Sequence, residues 1–142
     1  MSLSLTFQHL DQLDQHCKKC WPEEACALLV GTREIGDDRI VNRVVLSDNV
    51  AVDKKRYFEI DPSVRIRLEV ELRGGVEDII GVFHSHPEGP AEPSKADERM
   101  VIETQFLWLI AATSSAGTDN IGAFEFSDEK KFKRVPLIKR GS

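Results

Sequence analysis

The sequence is poor in cysteine, aromatic residues and long apolar runs, and these shortages exclude several classes of protein. Only three cysteines occur among 142 residues, an odd number that is too sparse for the disulfide framework of a small secreted domain. No stretch approaches the about 20 apolar residues that a membrane-spanning helix requires. The first twenty residues also lack the apolar run of a signal peptide. We therefore expect a cytoplasmic protein that binds no membrane.

Acidic residues outnumber basic ones, which argues against a role in nucleic-acid binding. The chain has 24 acidic and 19 basic residues and a net charge of -5, whereas general nucleic-acid binders present a basic face. Hydrophobic residues make up 41% and charged residues 30%, a balance typical of globular proteins. A chain of this length can bury roughly two-thirds of its unfolded surface. We predict a single domain over residues 1–142 that binds no nucleic acid.

Apolar runs separated by turn residues predict a mixed α/β (α+β) fold, in which helices pack on a β-sheet. The predicted strands are Leu3–Phe7, Ala25–Gly31, Arg39–Leu46, Tyr57–Ile60, Ile79–His84, Phe106–Ala112, Ile121–Phe126 and Phe132–Leu137. The predicted helices are about His9–Cys20, Asp61–Arg73 and Ser94–Glu103.

The second predicted helix has an ambiguous pattern. Its apolar residues alternate from Val64 to Leu72, as they do in a half-buried strand. Asp61 and Pro62 in front of this stretch are instead a good N-cap and first-turn residue for a helix. We predict the helix on that start and on the order of elements in the family described below.

Two of the four histidines, His84 and His86, close a predicted buried strand. Positions i and i+2 of a strand point to the same side, so the two imidazoles are expected to lie together. Two buried histidines favour a metal, because protonating both would set two charges against each other. Asp97 follows after ten intervening residues and could complete a His, His, Asp site.

A site of this kind is compatible with more than one chemistry. Catalytic zinc has three protein ligands and an open position, and it needs a base for the proton of its bound water. Glu23 and Glu24, in front of a buried strand, are candidate bases. Iron oxygenases also use two histidines and one carboxylate, normally as H-x-[DE] followed by a distant histidine. The deaminase signature H-x-E…P-C-x-x-C and the thermolysin-like H-E-x-x-H are both absent.

Two segments resemble motifs of the JAMM (MPN+) metalloproteases. Residues 22–31, PEEACALLVG, are similar to the segment P-x-E-x-C-G-L-L-x-G, with Ala27 where the family usually has glycine. Residues 81–97 match G-x-x-H-S-H-P followed by six residues and S-x-x-D. The second string is highly specific, and the first is moderately so.

The resemblance implies a role for each site residue. His84, His86 and Asp97 would bind one zinc ion per chain. Glu24 would hold the catalytic water and act as general acid and base, because it stands at the glutamate position of the motif. Ser94 would help to stabilise the tetrahedral intermediate.

The resemblance also implies a fold and an activity. The fold would be a single MPN domain with a mixed sheet, similar in architecture to cytidine deaminases. The activity would be zinc-dependent cleavage of a peptide or isopeptide bond after the Gly-Gly tail of a ubiquitin-like or sulfur-carrier protein, as in minimal prokaryotic members. An exposed strand edge near Tyr57–Ile60 would hold the tail by backbone pairing. The alternative is a non-catalytic MPN scaffold module, but such modules lose metal ligands that this chain keeps.

Some of these residues also fit structural interpretations. Ser94 and Asp97 form the pattern of a helix-capping box. A basic C-terminal run is typical of a charged edge strand, or of a docking surface for an acidic partner. The run comprises Lys130, Lys131, Lys133, Arg134, Lys139 and Arg140.

The remaining cysteines and histidines predict no further site. Cys17 and Cys20 form a C-x-x-C without a second pair, so we interpret them as incidental thiols. His9 and His16 lie seven residues apart on one predicted helix face, where we expect them to be solvated.

Overall fold

Eight strands and three helices form the regular structure of the described residues, 1–33, 36, 38–100 and 106–141, in a computed structural model. The strands are β1 (Ser2–Thr6), β2 (Cys26–Arg33), β3 (Asp38–Ser47), β4 (Glu77–Pro87), β5 (Leu107–Ser114), β6 (Gly117–Phe126), β7 (Phe132–Val135) and β8 (Leu137–Arg140). The helices are α1 (Phe7–Cys20), α2 (Pro62–Leu72) and α3 (Lys95–Met100). The part of α3 predicted beyond Met100, as far as Glu103, lies outside the described residues.

All eight strands join one mixed sheet in the order β7-β6-β5-β4-β2-β3-β1-β8. The pairs β4–β5, β1–β3 and β1–β8 are parallel, and the other neighbours are antiparallel. The mixed α+β fold predicted from the sequence is therefore confirmed. No helix among the described residues combines the length and apolar character needed to cross a membrane.

The last predicted strand, Phe132–Leu137, is wrong as a single element. It divides at Pro136 into β7 and β8, which lie at opposite ends of the strand order. Proline has no N–H to continue a ladder, whereas its carbonyl oxygen accepts a hydrogen bond from the Leu3 backbone N–H at 3.0 Å. One C-terminal segment thus completes both edges. Of the predicted basic run, Lys133, Arg134, Lys139 and Arg140 are exposed on edge strands, whereas Lys130 and Lys131 lie in front of β7.

The helices cover both faces of the sheet. Alternate residues of a strand face opposite sides, and the side chains of β2 pack into apolar clusters on both faces of the sheet. Leu29 packs with Leu13 and Cys17 of α1, whereas Leu28 packs with Leu68 of α2. The α2 face also carries the two histidines of β4.

The packing of α2 explains the ambiguous alternation of apolar residues in its sequence. Val64, Leu68 and Leu72 are spaced i, i+4 and pack against the sheet, whereas Ile66 and Val70 are 61% and 56% exposed. A two-residue alternation contains the i, i+4 spacing of a helix face, so the pattern alone does not separate the two structures. The predicted start is also confirmed, since the Asp61 carboxylate accepts a hydrogen bond from the Ser63 backbone N–H at 2.9 Å.

The segment Tyr57–Ile60 does not form the predicted strand. Its pairing is an isolated bridge between Ile60 and Asn49. The Asn49 side chain instead accepts a hydrogen bond from the Glu59 N–H at 3.0 Å and donates one to the Tyr57 carbonyl at 2.9 Å. Backbone groups that a strand would use for pairing are therefore bound by a side-chain amide, and the expected exposed edge is absent here.

Candidate active site

The two histidines of β4 lie together as their spacing predicts. Strand β4 pairs with β2 on one side and with β5 on the other, and the β5 pairing continues through Pro87. The extended conformation therefore persists across His84 and His86. Their ring centroids are 4.7 Å apart. His84 is completely buried, and the side chain of His86 is 13% exposed.

Asp97 reaches both histidines from the first turn of α3. Its Oδ1 lies 3.2 Å from His84 Nε2, and its Oδ2 lies 3.4 Å from His86 Nε2. The same carboxylate accepts a hydrogen bond from the Ser94 backbone N–H at 2.8 Å, while the Asp97 N–H donates to Ser94 Oγ at 3.1 Å. The capping box and the approach to the histidines are thus present together, because the cap fixes the carboxylate in front of the rings.

Glu24 completes the group from a third segment, just before β2. Its side chain is buried and its Oε1 lies 3.2 Å from His84 Nδ1, whereas Glu23 is exposed. The structure therefore brings together His84, His86, Asp97 and Glu24. Exposed Ser94 lies at the edge of this group.

Ser85, between the two histidines, has a role that sequence reasoning missed. Its hydroxyl accepts a hydrogen bond from the Ala25 N–H at 2.8 Å, and its own N–H donates to the Ala25 carbonyl at 3.0 Å. These bonds join the residue after Glu24 to the strand that carries the histidines. The available signal was a hydroxyl in the buried part of a strand, where a polar group needs a hydrogen-bond partner.

Two aromatic rings hold the His84 imidazole, and neither was predicted. Phe58 stacks on it with centroids 4.2 Å apart and an interplanar angle of 14°. Trp108 of β5 meets it edge-on at 5.8 Å and 90°. The same two rings border an apolar cavity of about 280 Å³. The cavity is also lined by Leu28, Ile60, Val82, Met100 and Phe106.

Neighbouring opposite charges control the ionisation of the buried His84 and Asp97 side chains. Burial by itself would lower the pKa of His84, but the contact with Glu24 and the negative charges of the Asp97 and Glu24 carboxylates outweigh burial and raise that pKa to about 9. Burial would raise the pKa of Asp97, yet His84 and His86 hold it well below its usual range. Asp97 is therefore a carboxylate at neutral pH, as a metal ligand must be.

The donor set fits a divalent metal ion. Glu24, His84 and His86 each offer a ligand atom within 4.8 Å of the others, and Asp97 contacts both histidines. The buried His84 Nε2 has no hydrogen-bond partner among the described residues, because its contact with Asp97 has ion-pair distance without hydrogen-bond geometry. Ligands about 2.1 Å from a tetrahedral zinc lie about 3.4 Å apart, close to the observed separations of 3.2 and 3.4 Å.

The other cysteines and histidines have structural positions. Burial raises the pKa of the Cys17 and Cys26 thiols to about 12, and the described cysteines form no disulfide. The prediction that the α1 histidines are solvated is wrong. His16 Nε2 lies 3.2 Å from the carbonyl oxygens of Cys26 and Ser47. His9 takes part in the capping box at the start of α1.

A mixed sheet with two histidines at the end of one central strand, met by carboxylates from two other segments, defines a candidate metal-dependent hydrolase. The family of prokaryotic homologs of the JAB domain matches residues 7–126. The chain therefore belongs to this family, and the resemblance drawn from its motifs is confirmed.

Three relatives have names that describe an activity. The desampylase of Haloferax volcanii is 29% identical over 91 residues, which are 64% of this chain and 63% of that protein, just under two-thirds of its length. The probable TtuB-protein conjugate cleaving protease of Thermus thermophilus is 28% identical over 128 residues, 90% and 78% of the two chains. The CysO-cysteine peptidase of Mycobacterium tuberculosis is 20% identical over 113 residues, 80% and 75% of the two chains.

Solved structures agree with the fold. A solution structure of a protein from Desulfitobacterium hafniense has a TM-score of 0.83 and 29% identity, and covers 99% of this chain and 94% of its own. The crystal structure of a JAB1/MPN domain protein from Archaeoglobus fulgidus has a TM-score of 0.61 over 96% and 95% of the two chains. At 15% identity, this second likeness shows the fold alone.

Proposed function

We propose that this protein is a zinc-dependent peptidase or isopeptidase that cleaves after the C-terminal Gly-Gly tail of a ubiquitin-like or sulfur-carrier protein. The observation that carries the proposal is the meeting of His84, His86, Asp97 and Glu24, from three separate segments, around one buried imidazole. The relatives named as peptidases and conjugate-cleaving proteases support the reaction class.

His84, His86 and Asp97 would hold the zinc ion. When bound, zinc lowers the pKa of its water towards about 7 and polarises a carbonyl oxygen. The Glu24 carboxylate would take a proton from the attacking water at Oε2, the oxygen that does not contact His84, and return it to the leaving amine. Ser94 Oγ already accepts the Asp97 N–H, so its own hydrogen can be donated to the developing oxyanion.

Glu24 has a second role compatible with the same geometry. Metal-ligating histidines commonly donate their other ring N–H to a carboxylate, which fixes the orientation of the ring. The contact between Glu24 Oε1 and His84 Nδ1 has this form. The two roles can be separated by substitution with glutamine, which still accepts a hydrogen bond but is not a base.

The proposed substrate is an extended tail without side chains at the cleavage point. Two glycines allow the backbone to approach the buried histidines closely, because no Cβ atoms stand in the way. Since the exposed edge expected at Tyr57–Ile60 is absent, the tail needs another support. The apolar cavity beside Phe58 and Trp108 is near the about 300 Å³ lower bound of ligand sites. It is suited to one apolar side chain upstream of the glycines.

The test uses the zinc-loaded protein and a β-grasp carrier extended beyond its Gly-Gly tail by a short peptide. Mass spectrometry should show one cut, directly after the second glycine. A carrier with valines in place of both glycines is the matched control and should stay intact. Hydrolysis of unrelated peptides with no action on carriers or ubiquitin fusions would disprove the substrate assignment.

A further inference from the structure

The side chain of Asn49 makes five polar contacts in the loop between β3 and α2. Its Nδ2 lies 3.0 Å from the Glu24 carbonyl oxygen, 2.9 Å from that of Tyr57 and 3.4 Å from that of Lys54. Its Oδ1 accepts hydrogen bonds from the Ala51 and Glu59 N–H groups, both at 3.0 Å. One amide therefore binds five backbone groups of the loop and of the segment before β2.

These contacts fix which end of the amide is which. The N–H groups lie at one end and the carbonyl oxygens at the other, so exchanging oxygen and nitrogen would oppose like groups. The NH₂ has two hydrogens, which serve the shorter contacts to Tyr57 and Glu24. Asp would supply an acceptor only, and Ala would supply neither.

The first consequence of this arrangement concerns Glu24. Its carbonyl accepts from Asn49, and its N–H donates to the Lys54 carbonyl at 2.8 Å. Both backbone groups of Glu24 are therefore bound by the loop that Asn49 organises. Ala25, the next residue, is held instead by Ser85 of β4. The backbone that carries the Glu24 carboxylate is therefore bound to the Asn49 loop on one side and to β4 on the other.

The second consequence concerns Phe58. The Tyr57 carbonyl and the Glu59 N–H, on either side of Phe58, both bind the Asn49 amide. The backbone that presents the Phe58 ring to His84 is therefore fixed at two points. Two groups that touch the His84 imidazole, the Glu24 carboxylate and the Phe58 ring, are tied to one side chain.

We propose that Asn49 is a positioning residue, which sets Glu24 and Phe58 in place around His84 without touching the reacting atoms. The proposal rests on the proposed function, in which Glu24 is the base. A displacement of about 1 Å in a catalytic group can cost about 10²-fold in rate. Asn49→Ala should therefore lower kcat about 10²-fold, with a much smaller rise in KM from the Phe58 side of the cavity and with zinc content kept at one ion per chain.

The test combines kinetics with amide hydrogen exchange measured by NMR, which needs no substrate. In Asn49→Ala, the amides of Ala51 and Glu59, which donate to Asn49 Oδ1, should lose protection. The Glu24 amide should also lose protection, because it donates to the Lys54 carbonyl, which the Asn49 Nδ2 contacts. The amides of β4 and β5 should keep theirs. Asn49→Asp keeps the acceptor and should protect Ala51 and Glu59, yet still lose kcat because Glu24 loses its donor.

Asn42→Ala is the matched control. It removes two exposed hydrogen bonds, from Asn42 Nδ2 to Thr32 Oγ1 and to Glu77 Oε2, both at 3.0 Å. It should leave kcat and the exchange of Glu24 unchanged. Unchanged kcat and unchanged Glu24 protection in Asn49→Ala would overturn the proposal, as would equal losses in both asparagine variants. If the wild-type protein cleaves no carrier, the proposed function fails separately, and the exchange data still decide whether Asn49 holds Glu24.

Discussion

Glu24 Oε1 and His84 Nδ1 lie 3.2 Å apart although their residues are sixty positions apart in the chain. Both side chains are buried, so neither group has bulk water as an alternative partner. A carboxylate in such a place must be paired, because burying it alone would cost far more than the bond returns. The pair connects the segment in front of β2 to the end of β4 and makes Glu24 the side chain to test first.

Glu24→Gln should retain one zinc per chain and lose turnover by about 10² or more, because the amide accepts the His84 N–H but takes no proton. Glu24→Ala should lose turnover and also bind zinc about 10- to 100-fold more weakly, since His84 loses its orienting partner. Metal analysis and steady-state kinetics distinguish these results. Glu23→Gln, at the exposed neighbour, is the control and should be nearly silent. An inactive Glu23→Gln beside an active Glu24→Gln would show that the base is assigned to the wrong glutamate.

Ser94→Ala should distinguish a role of Ser94 in helix capping from a role of its hydroxyl in catalysis. The substitution removes the acceptor of the Asp97 N–H, which should cost about 1 kcal/mol of unfolding free energy. If Ser94 also donates to the oxyanion, kcat should fall by about 10² or more. Thermal unfolding and kinetics measure the two effects, and Ser94→Thr, which keeps a hydroxyl, should recover part of both. Unchanged kcat in a mildly destabilised Ser94→Ala variant would leave Ser94 as a cap only.

The site was predictable where its residues are close in sequence. His84 and His86 share one strand, and the capping box that holds Asp97 lies in the same short motif, so spacing and local geometry place all three. The structure of the loop between β3 and α2, which contains Asn49 and Phe58, was not predictable in this way. Asn49 reaches Glu24 across 25 positions, and its amide replaces strand pairing near Phe58, so the apolar pattern there pointed to the wrong structure.

The same difference between local and distant contacts explains which parts of the fold could be predicted from the sequence. Helix α1 and the buried strands follow from periodicity, and α2 follows from the Asp61-Pro62 start. The separation of β7 from β8 depends on which distant strands have free edges. A pattern of apolar residues does not contain that information, although Pro136 marks the place where pairing with one neighbour must end.

The cysteines should differ in reactivity in a way that follows from burial. Burial disfavours the thiolate, so it raises the pKa of Cys17 and Cys26 to about 12 and also raises that of Cys20. Since the thiolate is the nucleophile, iodoacetamide at pH 8 should leave Cys17 and Cys26 unmodified in the native protein and react slowly with half-buried Cys20. All three should react in denaturant, which mass spectrometry would show. Rapid native labelling of Cys17 would contradict the packing of α1 on the sheet.

Metal content is the most direct test of whether the site formed by His84, His86, Asp97 and Glu24 binds zinc. The purified protein should hold one zinc per chain, and the His84→Ala/His86→Ala double variant and Asp97→Ala should lose it, because each removes ligands that a three-ligand site cannot spare. Chelation should lower the Tm of the wild-type protein, since a ligand bound to the folded state stabilises it by mass action. The same chelator should leave the Tm of the double variant unchanged.

Glu98→Gln changes an exposed carboxylate on the same turn of α3 as Asp97 and should keep the metal. Stoichiometric zinc retained by the double variant would place the metal elsewhere and remove the basis for the proposed reaction.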